Sequence, residues 1–378
     1  MKFIIEKNEL LDVLKFCEKI INVKYNSNPI LNNIVLDITN NHCKCICSNG
    51  VISGQYNIEK NKISIEKNGK ICLKNKILLD IISKIPEEQI SFEKIENTVL
   101  AIKTNSFNSE INIQNEENYP KINFLFDNLE KIDISNEVIN EIYKKNNSCV
   151  FNDFNQPKPI NGIYFSTELE DNFLTSLSTD TFRLAYLKTP INTNLKTSFI
   201  LNSITLSVAS QIFKNNEDIS FFINDADKKI FLSNKKMVIM DKQILGDYPT
   251  DVFIRAFNIQ KNTSFSINKN ELINSLELGK VTVNLERNPI TILEINNHEI
   301  FLNSSSYEIG SSKVKINFHD LSGDDLKIGF NVSFFLTLLK NIDSEIVNIS
   351  IENNLKPILL VGENDNFKEL ILPVKINN

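Results

Sequence analysis

A dipeptide that recurs at one spacing constrains this chain more than its composition does. Pro29-Ile30, Pro159-Ile160 and Pro289-Ile290 stand about 130 residues apart at each step, the mark of an internally repeated architecture. Other phrases keep the same register. Asn8-Glu9-Leu10-Leu11, Asn136-Glu137-Val138-Ile139 and Asn270-Glu271-Leu272-Ile273 each follow a short strand-like run and open a helical pattern. In the first copy Leu10, Leu14, Cys17 and Ile21 share one helical face, and Asp12, Lys15, Lys19 and Asn22 share the other. A second helical pattern is expected over Leu73–Ile82, Leu201–Phe213 and Phe330–Ile342, with Pro86 closing the first. Asn118-Tyr119-Pro120, Asp247-Tyr248-Pro249 and Leu372-Pro373-Val374 end the three units alike.

Alternating runs such as Ile34–Ile38 and Ile90–Glu93 read as half-buried antiparallel strands. The expected fold class is α+β, as three tandem copies of one domain with two helices on antiparallel sheets. Its boundaries are 1–127, 128–255 and 256–378. The middle copy is the clearest. Ile160, Ile163 and Phe165 begin one strand, the Glu168–Asp171 turn follows, and Phe173 to Ser178 form a second strand that ends in a Ser-Thr-Asp-Thr corner.

Conventional catalytic signatures are missing. With ten glycines and neither GxGxxG nor GxxxxGK[ST], the chain has little material for a phosphate-cradling loop. The three histidines, His42, His298 and His319, sit in no motif that pairs them with a nucleophile. Cys43, Cys45 and Cys47 alternate, which places all three on one face of a strand, unlike the paired Cys-x-x-Cys turns of a zinc site. No cofactor and no metal are expected, and the protein is not expected to be an enzyme. No run of eighteen apolar residues occurs, and charge enters at Lys2, Glu6 and Lys7, too early for a secretory signal. Together with six cysteines that fit reduced core thiols, this points to a cytoplasmic protein without a membrane partner. The net charge of −6 argues against a generally basic nucleic-acid coat, while leaving room for basic faces.

Ser178-Thr179-Asp180-Thr181-Phe182-Arg183-Leu184-Ala185 resembles the T-D-x-H-R-L-A segment of bacterial DNA polymerase III β subunits, the sliding clamps. Met1-Lys2-Phe3, Pro29-Ile30-Leu31, Asn161-Gly162, Gly246-x-Tyr248-Pro249, Ile328–Ser333 and Leu372-Pro373-Val374-Lys375 match that family in order and spacing. The resemblance implies a head-to-tail homodimer, a six-domain ring whose helices surround duplex DNA without reading its sequence. Twelve helices about 9 Å apart close a circle roughly 34 Å across, leaving roughly 24 Å inside the side chains.

The implied role is non-enzymatic. The clamp confers processivity by encirclement and tethers the polymerase α subunit, the clamp loader and other replication and repair proteins through a short hydrophobic peptide. A triplicated interaction scaffold that does not encircle DNA is the alternative. By position in the family, DNA contacts are expected at Lys24, Tyr25, Lys76, Phe154, Lys158 and Pro159, and Lys15, Lys19, Lys144, Lys145, Lys280 and Lys340 are candidates for an inner face. The partner-peptide pocket would comprise Ile160, Thr179, Thr181, Phe182, Arg183, Leu184, Pro249, Phe253, Ile254, Asn331, Phe334, Leu355, Pro357, Leu370, Leu372, Pro373, Val374 and Lys375. Phe182 stands where the family commonly has His and Phe253 where it commonly has Arg. A more apolar pocket, favouring peptides with fewer acidic side chains, is therefore expected. Ile111, Ile113, Val281 and Val283 are the positions matched to the dimer interface.

Overall fold

The computed structural model describes residues 1–23, 28–126, 128–151, 158–215 and 217–376. Seven α-helices are found among them: α1 (Lys7–Ile21), α2 (Asn75–Lys84), α3 (Asn136–Asn146), α4 (Ser203–Ile212), α5 (Thr250–Phe257), α6 (Lys269–Val283) and α7 (Val332–Asn341). Compact packing divides the chain into a first unit, residues 1–140 with 204–243, and a second unit, residues 141–203 with 244–378.

In the first unit a five-stranded antiparallel sheet runs Ile63–Lys67, Lys2–Glu6, Gln89–Glu96, Val99–Lys103, Asn108–Asn112. An eight-stranded sheet runs Glu130–Ser135, Asp218–Asn224, Lys229–Ser233, Met237–Lys242, Ser53–Asn57, Cys43–Ser48, Asn33–Ile38, Gly69–Lys74. Strands from the first and middle thirds of the sequence are joined in it where Met237 pairs with Tyr56. Helix α1 buries Leu10, Val13, Leu14, Phe16, Cys17 and Ile20 and leaves Asp12, Lys15 and Lys19 exposed. The Asn75 side chain, at the start of α2, donates to the Leu14 carbonyl at 3.1 Å, which fixes one helix against the other.

The second unit contains a nine-stranded sheet in the order Ser198–Asn202, Gly162–Ser166, Phe173–Thr179, Arg183–Pro190, Phe367–Ile371, Ile358–Val361, Ile346–Ile351, Thr263–Asn268, His319–Ser322. Its four-stranded sheet runs Gly310–Ile316, Glu299–Ser306, Ile290–Asn296, Leu326–Asn331. The middle and last thirds meet where Arg183–Leu187 pairs with Phe367–Ile371.

The expected second helices all begin two residues later than their apolar patterns. Leu73 pairs with Ile34, Leu201 with Ile163 and Phe330 with Thr291, so each pattern's first residues belong to a sheet. A short apolar run has no period that separates a strand end from a helix start. Helix α5 was not expected. Its opening, Pro249-Thr250-Asp251, carries the helix-start signal of a proline at the entry and an acidic residue in the first turn.

Candidate functional site

The candidate pocket is built on the corner between the Phe173–Thr179 and Arg183–Pro190 strands. Thr179 Oγ1 accepts from the Thr181 amide at 2.9 Å and donates to the Arg183 carbonyl at 2.8 Å. Asp180 Oδ1 accepts from the amides of Phe182 and Arg183, both at 3.0 Å. These bonds hold Thr181 at a positive φ of 76°, a conformation that a β-branched residue adopts only when its surroundings enforce it. The corner is thereby fixed before anything binds.

Three side chains make its outer wall. Phe182 is 56% exposed and leans on Phe334 of α7 with ring centroids 5.9 Å apart. The Arg183 guanidinium lies 4.5 Å from the Phe334 centroid while its Nε pairs with Asp180 Oδ2 at 2.9 Å. A cation over an aromatic face contributes about 0.5–2 kcal/mol, depending on how dry the contact is. The Phe182 carbonyl accepts from the Leu372 amide at 2.8 Å, and Gly329 accepts from Val374 at 2.7 Å, so the segment after the Phe367–Ile371 strand is laid against the corner. A side chain at Gly329 would meet the Val374 carbonyl oxygen at 2.9 Å, which leaves room there for glycine only. Asn331 caps α7, accepting from the Phe334 amide at 3.1 Å.

Within the second unit the expected pocket residues separate by burial. Thr181, Phe182, Ile254, Leu355, Leu372 and Lys375 are exposed; Ile160, Arg183, Pro249, Phe334, Pro373 and Val374 are half-buried. Thr179, Leu184, Phe253, Asn331, Pro357 and Leu370 are buried. Phe253 is 2% exposed and stacks on Tyr248 at 5.6 Å, so its ring packs in a core with Leu177, Leu184 and Leu370. A cavity of about 230 Å³ lies under α5, lined by Leu169, Leu177, Tyr186, Phe253, Ile254 and Phe257 with Glu170, Asn258 and Lys368. Only Phe253 and Ile254 among the expected pocket residues reach it. Phe257 was missed because α5 was; Tyr186 lies on the Arg183–Pro190 strand.

Of the expected DNA contacts, Lys24, Tyr25 and Phe154 lie outside the described residues. Lys76 and Lys158 are exposed, and Pro159 is half-buried beside Gly246. Among the inner-face candidates Lys15 and Lys19 are exposed on α1. Lys145 is a correction, since it is buried and pairs with Asp343 at 2.6 Å, which leaves no charge to offer a phosphate. Lys144 is paired with Asp343 at 2.7 Å and Lys340 lies 3.7 Å from Glu277; Lys280 is half-buried.

Comparison with known proteins places these features in one family. The family description for the DNA polymerase III beta subunit N-terminal domain matches residues 1–123, and that for its C-terminal domain matches residues 255–375, together well over half of the chain. The chain belongs to the DNA polymerase III beta-subunit family. It is 27% identical to the beta sliding clamp of Streptococcus pneumoniae (strain ATCC BAA-255 / R6) over 99% of both chains. It is 25% identical to the beta sliding clamp of Mycoplasma capricolum over the whole of both. Its fold superposes on the crystal structure of the DNA polymerase III beta chain from Streptococcus pneumoniae TIGR4 with a TM-score of 0.90 at 24% identity, covering 99% of this chain and 100% of that one. The sliding clamp from Bacillus subtilis gives 0.90 at 21% identity with complete coverage of both.

In this beta-subunit chain Asn108–Asn112 ends the five-stranded sheet and Gly310–Ile316 ends the four-stranded sheet, each with one side lacking a neighbouring strand among the described residues. Ile111, on the first, is half-exposed. Val281 on α6 is 66% exposed and Leu278, one turn before it, is 61% exposed; with Leu285, 71% exposed in the turn after the helix, they make an exposed apolar group that the sequence reading missed. Ile113 and Val283 are corrections to the expected interface: both side chains are buried within their own units and are used there. The alternating thiols pack inward, with Cys17 Sγ 3.5 Å from Cys45 Sγ, and burial pushes both thiols above their usual range. Among the described residues no cluster of three His, Cys, Asp or Glu side chains is arranged to hold a metal, and no helix is long and apolar enough to cross a membrane.

Proposed function

We infer that the chain is a sliding clamp, a non-enzymatic subunit that encircles duplex DNA and tethers the replicative polymerase. The observation that carries this reading is the end-to-end match to beta sliding clamps, with no large part of either chain left over. Three repeats, over 1–127, 128–255 and 256–378, act as its domains. Two copies pair head to tail, the Asn108–Asn112 edge of one meeting the Gly310–Ile316 edge and the α6 apolar group of the other. Edge strands present rows of unmade backbone hydrogen bonds, and their pairing with a second chain removes that liability.

The Thr179–Arg183 corner, with Phe182, Phe334, Leu372 and the buried Leu184 and Leu370 beneath, receives the partner peptide. Its partners are the polymerase α subunit, the clamp loader and other proteins that carry such a peptide. The preference for less acidic peptides rests on Phe182, since Phe253 is core.

Loading onto a nicked circular plasmid tests the reading. After loader and ATP are removed, the protein stays with the circle through gel filtration and is lost when a restriction enzyme opens it. Equal retention on both, or on neither, favours an interaction scaffold without encirclement, a reading helped by the ion-paired states of Lys144, Lys145 and Lys340.

A further inference from the structure

Behind the corner, on the helix-facing side of the nine-stranded sheet, lies a carboxyl group that peptide binding itself does not use. Glu369 is in the Phe367–Ile371 strand and is fully buried. Register pairs Glu369 with Ala185 and Ile371 with Arg183, so Glu369 shares a face with Arg183, while Leu370 and Leu184 point to the other. Glu369 Oε1 accepts from Asn341 Nδ2, the last residue of α7, at 2.9 Å; the same amide donates to Ser148 Oγ at 2.8 Å. Glu369 Oε2 is buried without a hydrogen-bond partner, and so is Arg183 Nη1.

The charged and titratable groups facing Glu369 come from three directions: Lys145 on α3, Arg183 with Asp180 at the corner, and the Cys149 thiol. Both cations already have a carboxylate partner. Arg183 pairs with Asp180 at 2.9 Å, and Lys145 pairs at 2.6 Å with Asp343, which it shares with Lys144. An ionised Glu369 would place a charge without a directly bonded cation in a fully buried site, which is unfavourable, whereas a neutral acid fits with the hydrogen bond from Asn341. Burial accordingly pushes its carboxyl well above the usual range, against smaller opposing effects of Asn341, Lys145 and Arg183.

We propose that Glu369 is a positioning residue of the peptide pocket, its hydrogen bond to Asn341 fastening α7, which carries Phe334, to the strand that carries Leu370 and leads into Leu372. The proposal rests on the pocket reading above. A neutral Glu369 leaves Arg183 with Asp180 and on the Phe334 ring. Ionisation turns Glu369 into a competitor for the unsatisfied Arg183 Nη1 and draws the guanidinium away from the wall that Phe182 completes.

The test measures binding of the purified clamp to immobilised polymerase α subunit from the same genome by surface plasmon resonance. Four proteins are compared: wild type, Glu369→Leu, Glu369→Gln and Phe182→Ala. Glu369→Leu weakens binding about tenfold or more, and Glu369→Gln, whose carbonyl accepts the Asn341 bond without charge, stays within about threefold of wild type. As pH is raised, wild-type affinity falls as Glu369 ionises, while the Glu369→Gln profile is flatter. Dimer mass by native mass spectrometry is the same in all four. Wild-type affinity in Glu369→Leu, a Glu369→Gln protein as weak as Glu369→Leu, or coincident pH profiles each overturn the proposal. If Phe182→Ala also binds normally, the pocket reading has failed; if Phe182→Ala is weakened and Glu369→Leu is not, only the role of Glu369 has. Should Glu369→Leu fold poorly, the pH profiles of wild type and Glu369→Gln still decide.

Discussion

Asp241 is the second buried carboxyl group with a measurable consequence, and it lies in the first unit. It is 2% exposed in the Met237–Lys242 strand, accepting from Thr205 Oγ1 of α4 at 2.5 Å and from the Lys242 amide at 2.7 Å. Burial outweighs these bonds and raises its carboxyl from 3.8 to about 6. Between those two values the folded chain binds a proton that the unfolded chain releases, so stability from this group falls as pH rises through the window and is flat above it. A shift of about two units corresponds to about 3 kcal/mol at neutral pH. Asp241→Asn keeps the Lys242 bond and can reverse the Thr205 bond. It is expected to raise the urea midpoint at pH 7.5 and leave it nearly unchanged at pH 4. Equal effects at both pH values would mean that the buried charge is not the cause.

At the scale of elements, the sequence was most readable where a periodic face is long. Helix α1 buries Leu10, Leu14 and Cys17 of the stripe that its spacing assigns and leaves Ile21 half-buried, and the Thr179–Arg183 motif forms the corner its polar residues suggest. It was least readable where two structures share one pattern. Leu73, Leu201 and Phe330 suit the end of a strand as well as the start of a helix, and only pairing across the sheet decides between them. Family position placed Val283 at an interface, but strand and helix geometry turns it inward, while Leu278 and Leu285 join Val281 outside. Each large apolar side chain brought from water into a contact contributes about 1.5–3 kcal/mol, so three at the end of α6 are enough to govern a dimer. Val281→Asp should raise the dimer dissociation constant about a hundredfold in sedimentation equilibrium. The thermal midpoint of the dissociated chain should barely move, because the side chain is exposed. An unchanged dimer would remove the α6 apolar group from the seam.

At the scale of the whole molecule, the net charge of −6 sets two ways of staying on DNA against each other. A protein held by phosphates loses affinity with salt along a logarithmic slope of roughly 0.9 per phosphate neutralised. Here Lys144 and Lys340 are matched by acidic neighbours and Lys145 is buried, which leaves Lys15, Lys19, Lys76 and Lys158 as the exposed candidates for phosphate contact. Encirclement has no such slope. With the pairing proposed above, its lifetime depends on opening a seam of backbone pairing and apolar side chains, which salt screens little. Retention on closed circles should therefore change by less than about threefold when salt is raised tenfold, while any binding to short linear duplexes disappears. The measurement is the fraction of labelled clamp that stays with nicked plasmid across the salt series, set beside fluorescence anisotropy on a linear duplex. If the two curves fall together, direct phosphate contact rather than topology holds the protein on DNA. If the circle curve stays level while the linear one collapses, the ring is what holds.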